Sequence, residues 1–364
     1  MFCRKLEIIN FRNIPSASIE FGAGINSLVG DNGAGKTNIL DAIHYLSMAR
    51  SAMAMTDTQA VRRGEEFFVI EGEYERDSGG NEKIICSFDR GGKRLKRNGK
   101  DYERLSEHIG FIPVAMVSPS DAFLVSDAAE ERRRYMNAFL SQIDADYLRS
   151  LIRYNHLIGE RNKLLKSLHY GGSDILEVID MQLAAEGDAI YRRRTELTRE
   201  LSPLTEHYYM ILSDAGESVS LSYRSELSKA AMAEVLAVSR GRDEAAGFTT
   251  SGIHRDDFLF GIGGLPLKKF GSQGQQKSFL VALKLAQYSV LKRNRGERPL
   301  LLLDDIFDKL DLTRVERFVR LIASEDFGQA FITDCNKLRI NQILERCGCP
   351  YTMFNVAMGD VKRM

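Results

Sequence analysis

Eight residues, Gly30-Asp31-Asn32-Gly33-Ala34-Gly35-Lys36-Thr37, set the strictest limit on how this chain can fold. They match G-x-x-x-x-G-K-[ST], which works where a buried strand delivers a glycine-rich turn to the start of a helix. Backbone N–H groups then converge on an anion at the positive end of the helix dipole. Both flanks are present: "INSLV" before the turn is a short apolar strand, and Ile39, Ile43 and Leu46 after it fall on one helical face. A chance Lys-Thr behind a glycine-rich turn would not supply both. The stretch therefore predicts an α/β fold in which Lys36 reaches the terminal phosphates of a nucleotide and Thr37 holds Mg2+.

A second piece lies far downstream. In "RPLLLLDDIFDKLD" four leucines suit a buried parallel strand, and such strands present ligands at their carboxyl ends, where Asp304 and Asp305 fall. Two aspartates after a strand can also cap a turn. With Lys36 upstream the more specific reading is that Asp304 holds Mg2+ through water and Asp305 polarises the water that attacks the terminal phosphate.

The third piece is "FGSQGQQKSF", too polar for a core, yet followed at once by Phe279, Ala282, Leu283, Ala286 and Val290 at helical spacing. Ser272 and Gln275 fit an S-x-x-Q capping box. A cap does not require Gly274 or the amides around it, whereas a small, amide-rich helix start with free N–H groups suits an anion. Ser272, Gln273 and Gly274 are read as contacts to a γ-phosphate.

The order of glycine loop, long insertion, Ser-Gln-Gly-Gln helix and acidic strand end resembles the ABC-type ATPase plan. The wording "LEIINFRNI", "GDNGAGKTNILDAIHYLS", "RNKLLK", "GIHRDDF", "SQGQQK" and "LLLLDDIFDKLD" narrows the resemblance to the RecF type of SMC-related DNA-repair ATPases over nearly the whole chain. The resemblance implies a P-loop ABC/SMC-type ATPase head, a mixed sheet with helices, interrupted by a helical lever-like insertion. The head is expected at 1–120 and 245–364 and the lever at 121–244. The cofactors implied are ATP and Mg2+, the nucleotide being sandwiched between the heads of an ATP-dependent homodimer. Also implied are slow, DNA-stimulated hydrolysis, binding to duplex DNA and single-strand/duplex junctions, RecR as partner with RecO and RecA downstream, a place in the SOS response, and a cytoplasmic location. Departures exist: Ile253 replaces the family's proline, Asp308 stands where serine is common, and the wording around Ser118-Pro119 and Asp121 leaves no clear Q-loop. After the strand "QAFIT", Thr333 and Asp334 stand where a transporter ATPase carries a switch histidine. A transport-coupled ABC subunit, the alternative reading, would carry that histidine and a Leu-Ser-Gly-Gly-Gln signature. A small-molecule P-loop kinase would leave the signature helix and the lever without a role.

Within the insertion Leu151, Ile158 and Leu165 recur every seven residues up to Gly171-Gly172, and Leu176, Leu183, Ile190, Leu197, Leu204 and Ile211 repeat the spacing. This predicts a hairpin of two helices, with Pro203 kinking or ending the second.

Fifty basic and fifty acidic residues give no net charge, so any DNA contact must rest on local patches. The leading one is "DRGGKRLKRNGKDY", where Arg94, Lys96 and Arg97 flank an Asn98-Gly99 hairpin turn. Arg132–Arg134, Arg192–Arg194, Lys292, Arg293 and Arg295 are further candidates. Five cysteines without a CxxC pair argue against a zinc site or a disulfide framework, and no apolar run is long enough to span a membrane. Of six histidines, His44, His108, His156, His169 and His207 read as surface or packing residues, while His254 sits in the motif "GIHRDD".

Overall fold

Strand β1 (Phe2–Phe11) opens the chain and buries Cys3, Leu6, Ile8 and Phe11, its alternation interrupted by a register shift between Cys3 and Lys5. In the computed structural model, residues 1–53, 55–126, 128–167, 173–213, 216–307, 312–324 and 326–364 are described. Gly171, Gly172, His169 and Asp308 to Asp311 lie outside them.

From β1 the chain forms β2 (Ile14–Glu20), β3 (Ile25–Val29), α1 (Lys36–Met48), α2 (Asp57–Ala60), β4 (Phe68–Glu75), β5 (Asn81–Asp89), β6 (Gly92–Arg97), β7 (Lys100–Asp101) and β8 (Val114–Val117). Helices α3 (Ala122–Ser126), α4 (Ala129–Ile143), α5 (Ala145–Ser167) and α6 (Ser173–Leu212) follow. Next come β9 (Val219–Arg224), α7 (Met232–Ala246), β10 (Asp257–Ile262), β11 (Leu265–Pro266), α8 (Leu267–Phe270) and α9 (Gln273–Arg295). The remaining elements are β12 (Leu300–Leu303), α10 (Leu312–Ile322), β13 (Ala330–Asp334), α11 (Lys337–Cys347), β14 (Tyr351–Ala357) and β15 (Asp360–Arg363).

The chain divides into two compact units, Met1–Asp121 with Tyr208–Gly216 and Gln273–Met364, and Ala122–His207 with Glu217–Ser272. The first holds two six-stranded sheets. One is antiparallel in the order β2-β1-β4-β5-β6-β7. The other, β15-β14-β3-β13-β12-β8, is parallel except for the β14–β15 hairpin. Its strands β3, β8, β12 and β13 are buried at every residue, as parallel strands covered on both faces require. The order β3-β13-β12 brings the carboxyl ends of strands more than 270 residues apart in sequence to one edge.

The second unit is mainly helical, with one small sheet, β11-β10-β9. That sheet moves the expected boundary. The return to the first unit falls between Ser272 and Gln273, not at 244/245, because β10 pairs with β9 from Asp257↔Arg224 to Ile262↔Val219. Helix α6 runs 40 residues, about 60 Å at 1.5 Å per residue, with Pro203 inside it, so the proline does not end the helix. Pro203 is exposed, and so is Arg199, whose carbonyl the proline leaves without a donor; water can satisfy that oxygen, so the helix continues. Its buried seam follows Leu176, Leu183, Ile190 and Leu197, then passes to Leu201, Thr205, Tyr209 and Leu212, with Leu204 half-buried. A seven-residue spacing drifts around a straight helix in this way.

Candidate nucleotide site

The glycine-rich turn joins β3 to α1, and its backbone could not be built from other residues. Gly33 and Gly35 have φ of 81° and 115°. At Gly30 a Cβ would lie 2.1 Å from the Val356 carbonyl oxygen of the neighbouring strand β14. Helix α1 starts at Lys36 with no side-chain cap at Gly35 and no acidic residue in its first turn, so its leading N–H groups keep their affinity for an anion.

Lys36 folds back over this turn and donates from Nζ to the carbonyls of Gly30 (2.7 Å) and Asp31 (2.9 Å). Thr37 Oγ1 donates to Asp304 Oδ1 at 2.8 Å, and Thr333 Oγ1 donates to the same oxygen at 2.8 Å. The Asp305 N–H donates to Thr333 Oγ1 at 2.9 Å. Thus the residues read separately as phosphate loop and acidic strand end meet at one oxygen atom. Burial raises the pKa of the Asp304 carboxyl, opposed by the two threonine hydrogen bonds and by Lys36, and helped by the nearby charge of Asp305. A buried carboxylate touching a hydroxyl is a hard, oxygen-only donor set, and it fits Mg2+. Asp305 itself has a φ of 47°, uncommon for a residue with a Cβ.

Two supports of the turn have no clear signal in the sequence. Asn13, between β1 and β2, donates from Nδ2 to the Gly33 carbonyl (3.0 Å) and accepts from Asn38 Nδ2 (2.7 Å). From the other side the tip of the β14–β15 hairpin reaches the loop, where the Gly359 N–H donates to the Ala34 carbonyl at 2.9 Å. An Asn between two alternating strands signals a turn, which is the most that sequence offers for Asn13. No local pattern connects Gly359 to Ala34.

The polar stretch at 272–274 opens α9 as expected. Ser272 and Gln273 are exposed and Gly274 is half-buried, whereas every residue from Ser278 to Tyr288 is buried. Beside the same helix, Asp121 pairs with Lys284 at 2.7 Å and accepts from the Ser118 N–H at 2.7 Å, which fixes the segment where the Q-loop could not be placed. Where a switch histidine would stand are the buried Thr333 described above and Asp334, which is held by Arg339 through two hydrogen bonds of 2.9 and 2.8 Å.

The basic hairpin forms at Asn98-Gly99, with Arg97 opposite Lys100. Its cations have acidic neighbours: Arg94 pairs with Asp89, Lys96 lies 3.5 Å from Asp101, and Arg97 binds Glu82 through two nitrogens while stacking 3.9 Å from the Phe111 ring centroid. Two other basic candidates are corrected. Arg194 is 1% exposed and donates to the Ile253 carbonyl and to Asn137, and Arg132 forks onto Asp257. Both are internal ties of the second unit, not surface charges. They belong to a set of arginines around "GIHRDDF": Arg133 donates to the Asp256 carbonyl and Arg161 binds Asp180, Asp243 and Thr249. Within that set His254 has both nitrogens occupied, Nδ1 with Tyr154 Oη at 2.8 Å and Nε2 with the Thr249 carbonyl at 3.1 Å. Burial lowers its pKa to about 4, so Nε2–H donates to the carbonyl and Nδ1 accepts the tyrosine hydroxyl. A neutral ring with both ends bound serves structure.

The family model described as RecF/RecN/SMC N terminal domain matches residues 2–353. The DNA replication and repair protein RecF of Bacteroides thetaiotaomicron is 44% identical over 365 residues, covering 100% of this chain and 99% of that protein. The chain belongs to the RecF family. The RecF of Flavobacterium johnsoniae is 43% identical over 360 residues, 98% of this chain and 100% of that protein. A solved structure described as the recombination mediator protein RecF with ATP, in the RecFOR pathway, superposes with a TM-score of 0.90 at 29% identity, covering 100% of this chain and 97% of that one. An Smc head domain from Pyrococcus furiosus, at a TM-score of 0.58 and 15% identity, covers 100% of this chain and 96% of that one and shares the fold. This RecF-family chain thus has the ABC/SMC-type ATPase head fold. Among its described residues no helix is long and apolar enough to cross a membrane.

Proposed function

We propose that this chain is an ATP-dependent DNA-binding protein of recombinational repair and replication restart, a slow, DNA-stimulated ATPase that dimerises head to head on ATP. The observation that carries the reading is the meeting of Thr37 and Asp304 at 2.8 Å, with Lys36 one residue away on the same turn. Gly30 to Thr37 would wrap the phosphates, Lys36 releasing its two carbonyls to bind them, and Thr37, with Asp304 through water, would hold Mg2+. When bound, that ion neutralises charge on the phosphates. Asp305 would hold the attacking water. The exposed Ser272 and Gln273, with the half-buried Gly274, would close over the γ-phosphate held by the second copy, which explains a polar tip on a helix buried throughout from Ser278 to Tyr288.

DNA at gaps and single-strand/duplex junctions is the proposed substrate of the dimer, with RecR as partner, RecO and RecA loading downstream, induction of the SOS response as the outcome, and the cytoplasm as the location. Family membership and the RecFOR description of the RecF structure support this placement. The transport-coupled alternative draws no support from Thr333 and Asp334, neither of them a histidine. The test is ATP-dependent dimerisation, followed by sedimentation, of Lys36→Met and Ser272→Arg. Lys36→Met should lose ATP binding and the dimer. Ser272→Arg should keep ATP binding and lose the dimer. Dimers of both variants on ATP would overturn the proposal.

A further inference from the structure

We infer that Thr333 is a positioning residue for hydrolysis, the group that locks Asp304 and Asp305 into one catalytic arrangement. The inference rests on the ATPase reading above and deepens it. A hydroxyl has one hydrogen to donate and two lone pairs to accept. In Thr333 the hydrogen goes to Asp304 Oδ1 and one lone pair receives the Asp305 N–H, so a single atom sets both acids.

The two bonds do different work. Asp304 Oδ1 takes a second hydrogen bond from Thr37, and that oxygen and that hydroxyl are the proposed metal donors. Were Thr37 to help hold Mg2+, with Asp304 holding it through water, the Thr37 hydroxyl would no longer be committed to the carboxylate. Thr333, approaching from β13, is then what keeps the carboxylate from turning away. The second bond acts on the backbone. Asp305 stands at φ 47°, in the left-handed region that a residue with a Cβ enters only at some cost. Pinning its N–H onto Thr333 fixes that conformation and so fixes where the Asp305 carboxylate points.

Position and burial agree with this role. Thr333 is 1% exposed and Asp304 5% exposed, with β12 and β13 paired in register from Leu301↔Ala330 to Leu303↔Ile332. The hydroxyl is therefore delivered by a rigid sheet, not by a mobile loop. A valine has the same shape without the hydroxyl and also leaves a buried Asp304 oxygen with one donor fewer.

The experiment compares wild type, Thr333→Val and Thr333→Ser with three readouts: amide exchange across residues 303–307 without nucleotide, binding of ATP with Mg2+, and steady-state turnover. Wild type should show slow exchange at Asp305 although no strand pairs it. Thr333→Val should exchange faster there, keep ATP affinity within about threefold, and lose kcat by roughly tenfold or more, the worth of one hydrogen bond to a charged group. Thr333→Ser should restore both protection and kcat. Fast exchange at Asp305 in wild type would overturn the inference even if Thr333→Val failed to fold. An unchanged kcat in Thr333→Val, or a slow Thr333→Ser with intact protection, would overturn it as well. Loss of ATP binding in wild type would instead sink the ATPase reading, which the nucleotide-free exchange measurement does not depend on.

Discussion

Asp121 and Lys284 face each other at 2.7 Å with side chains 13% and 9% exposed, tying the segment after β8 to the flank of α9. Two charges taken this far from water hold together because each satisfies the other, and removing one leaves the other uncompensated. Lys284→Ala should therefore destabilise the protein by about 3 kcal/mol. The double variant with Asp121→Asn should lose less than the sum of the two single losses. Urea denaturation of the full cycle measures the coupling, and strict additivity would show that the pair contributes nothing.

Gly359 invites a second substitution. At φ 85° an added Cβ would lie 2.8 Å from the Asn13 carbonyl oxygen and 3.1 Å from Pro15 Cδ, so Gly359→Ala combines backbone strain with a clash. The expected cost is about 2 kcal/mol of stability. ATP affinity should weaken too, because the same residue props the phosphate loop through Ala34. Calorimetric titration alongside a thermal melt checks both, and unaltered affinity would show that the hairpin does not shape the loop.

For the basic hairpin the proposal is that Arg94, Lys96 and Arg97 touch DNA phosphates in exchange for their acidic neighbours. Changing all three to Glu should flatten the plot of log affinity against log salt by up to about 0.9 for each phosphate no longer neutralised. Arg97→Ala alone should also lower stability, since its guanidinium bridges Glu82 and Phe111. A salt series of duplex binding decides the first point; an unchanged slope clears the hairpin of any DNA role.

Acid should weaken the fold through buried imidazoles. His108 is fully buried between the Leu46 carbonyl and Tyr102, and burial lowers its pKa to about 4, as it does for His254. The unfolded chain binds a proton at each of these near pH ~6.5 while the folded chain waits until near pH 4, so stability is full above the higher value and falls between the two. His108 should account for up to about 3 kcal/mol of that fall. Denaturation of wild type and His108→Gln at pH 7.5 and 4.5 isolates its share. The same pH dependence in both proteins would refute it.

The site's main pieces are legible because each is local. A strand, a glycine turn and a helical face announce the phosphate loop within about twenty residues, and four leucines before two aspartates announce β12. The misreadings share a different cause. Arg192, Arg193 and Arg194 look like one basic patch, but consecutive helical residues are turned by about 100°, so one of the three faces inward and becomes a buried tie to Ile253. Pro203 signals a kink or an end when taken alone, and exposure of Arg199, whose carbonyl loses its donor, lets the helix run on past it. Strand β9 is hidden among helices because its partner, β10, does not begin until Asp257, with helix α7 between them. Likewise Thr333 and Asp334 can be seen to stand where a histidine would, but Thr333 cannot be seen to bridge two acids that precede it by 28 and 29 residues.

Strand β3 lies in the sheet between β13 and β14, so the segment that carries the phosphate loop has neither neighbour until residues 330 to 357 have been made. During synthesis on the ribosome the loop emerges early, with Asn13 already made, and must wait for its flanking strands until most of the message has been read. A prematurely terminated product lacking those strands would carry the whole glycine motif and still have no place to hold a nucleotide.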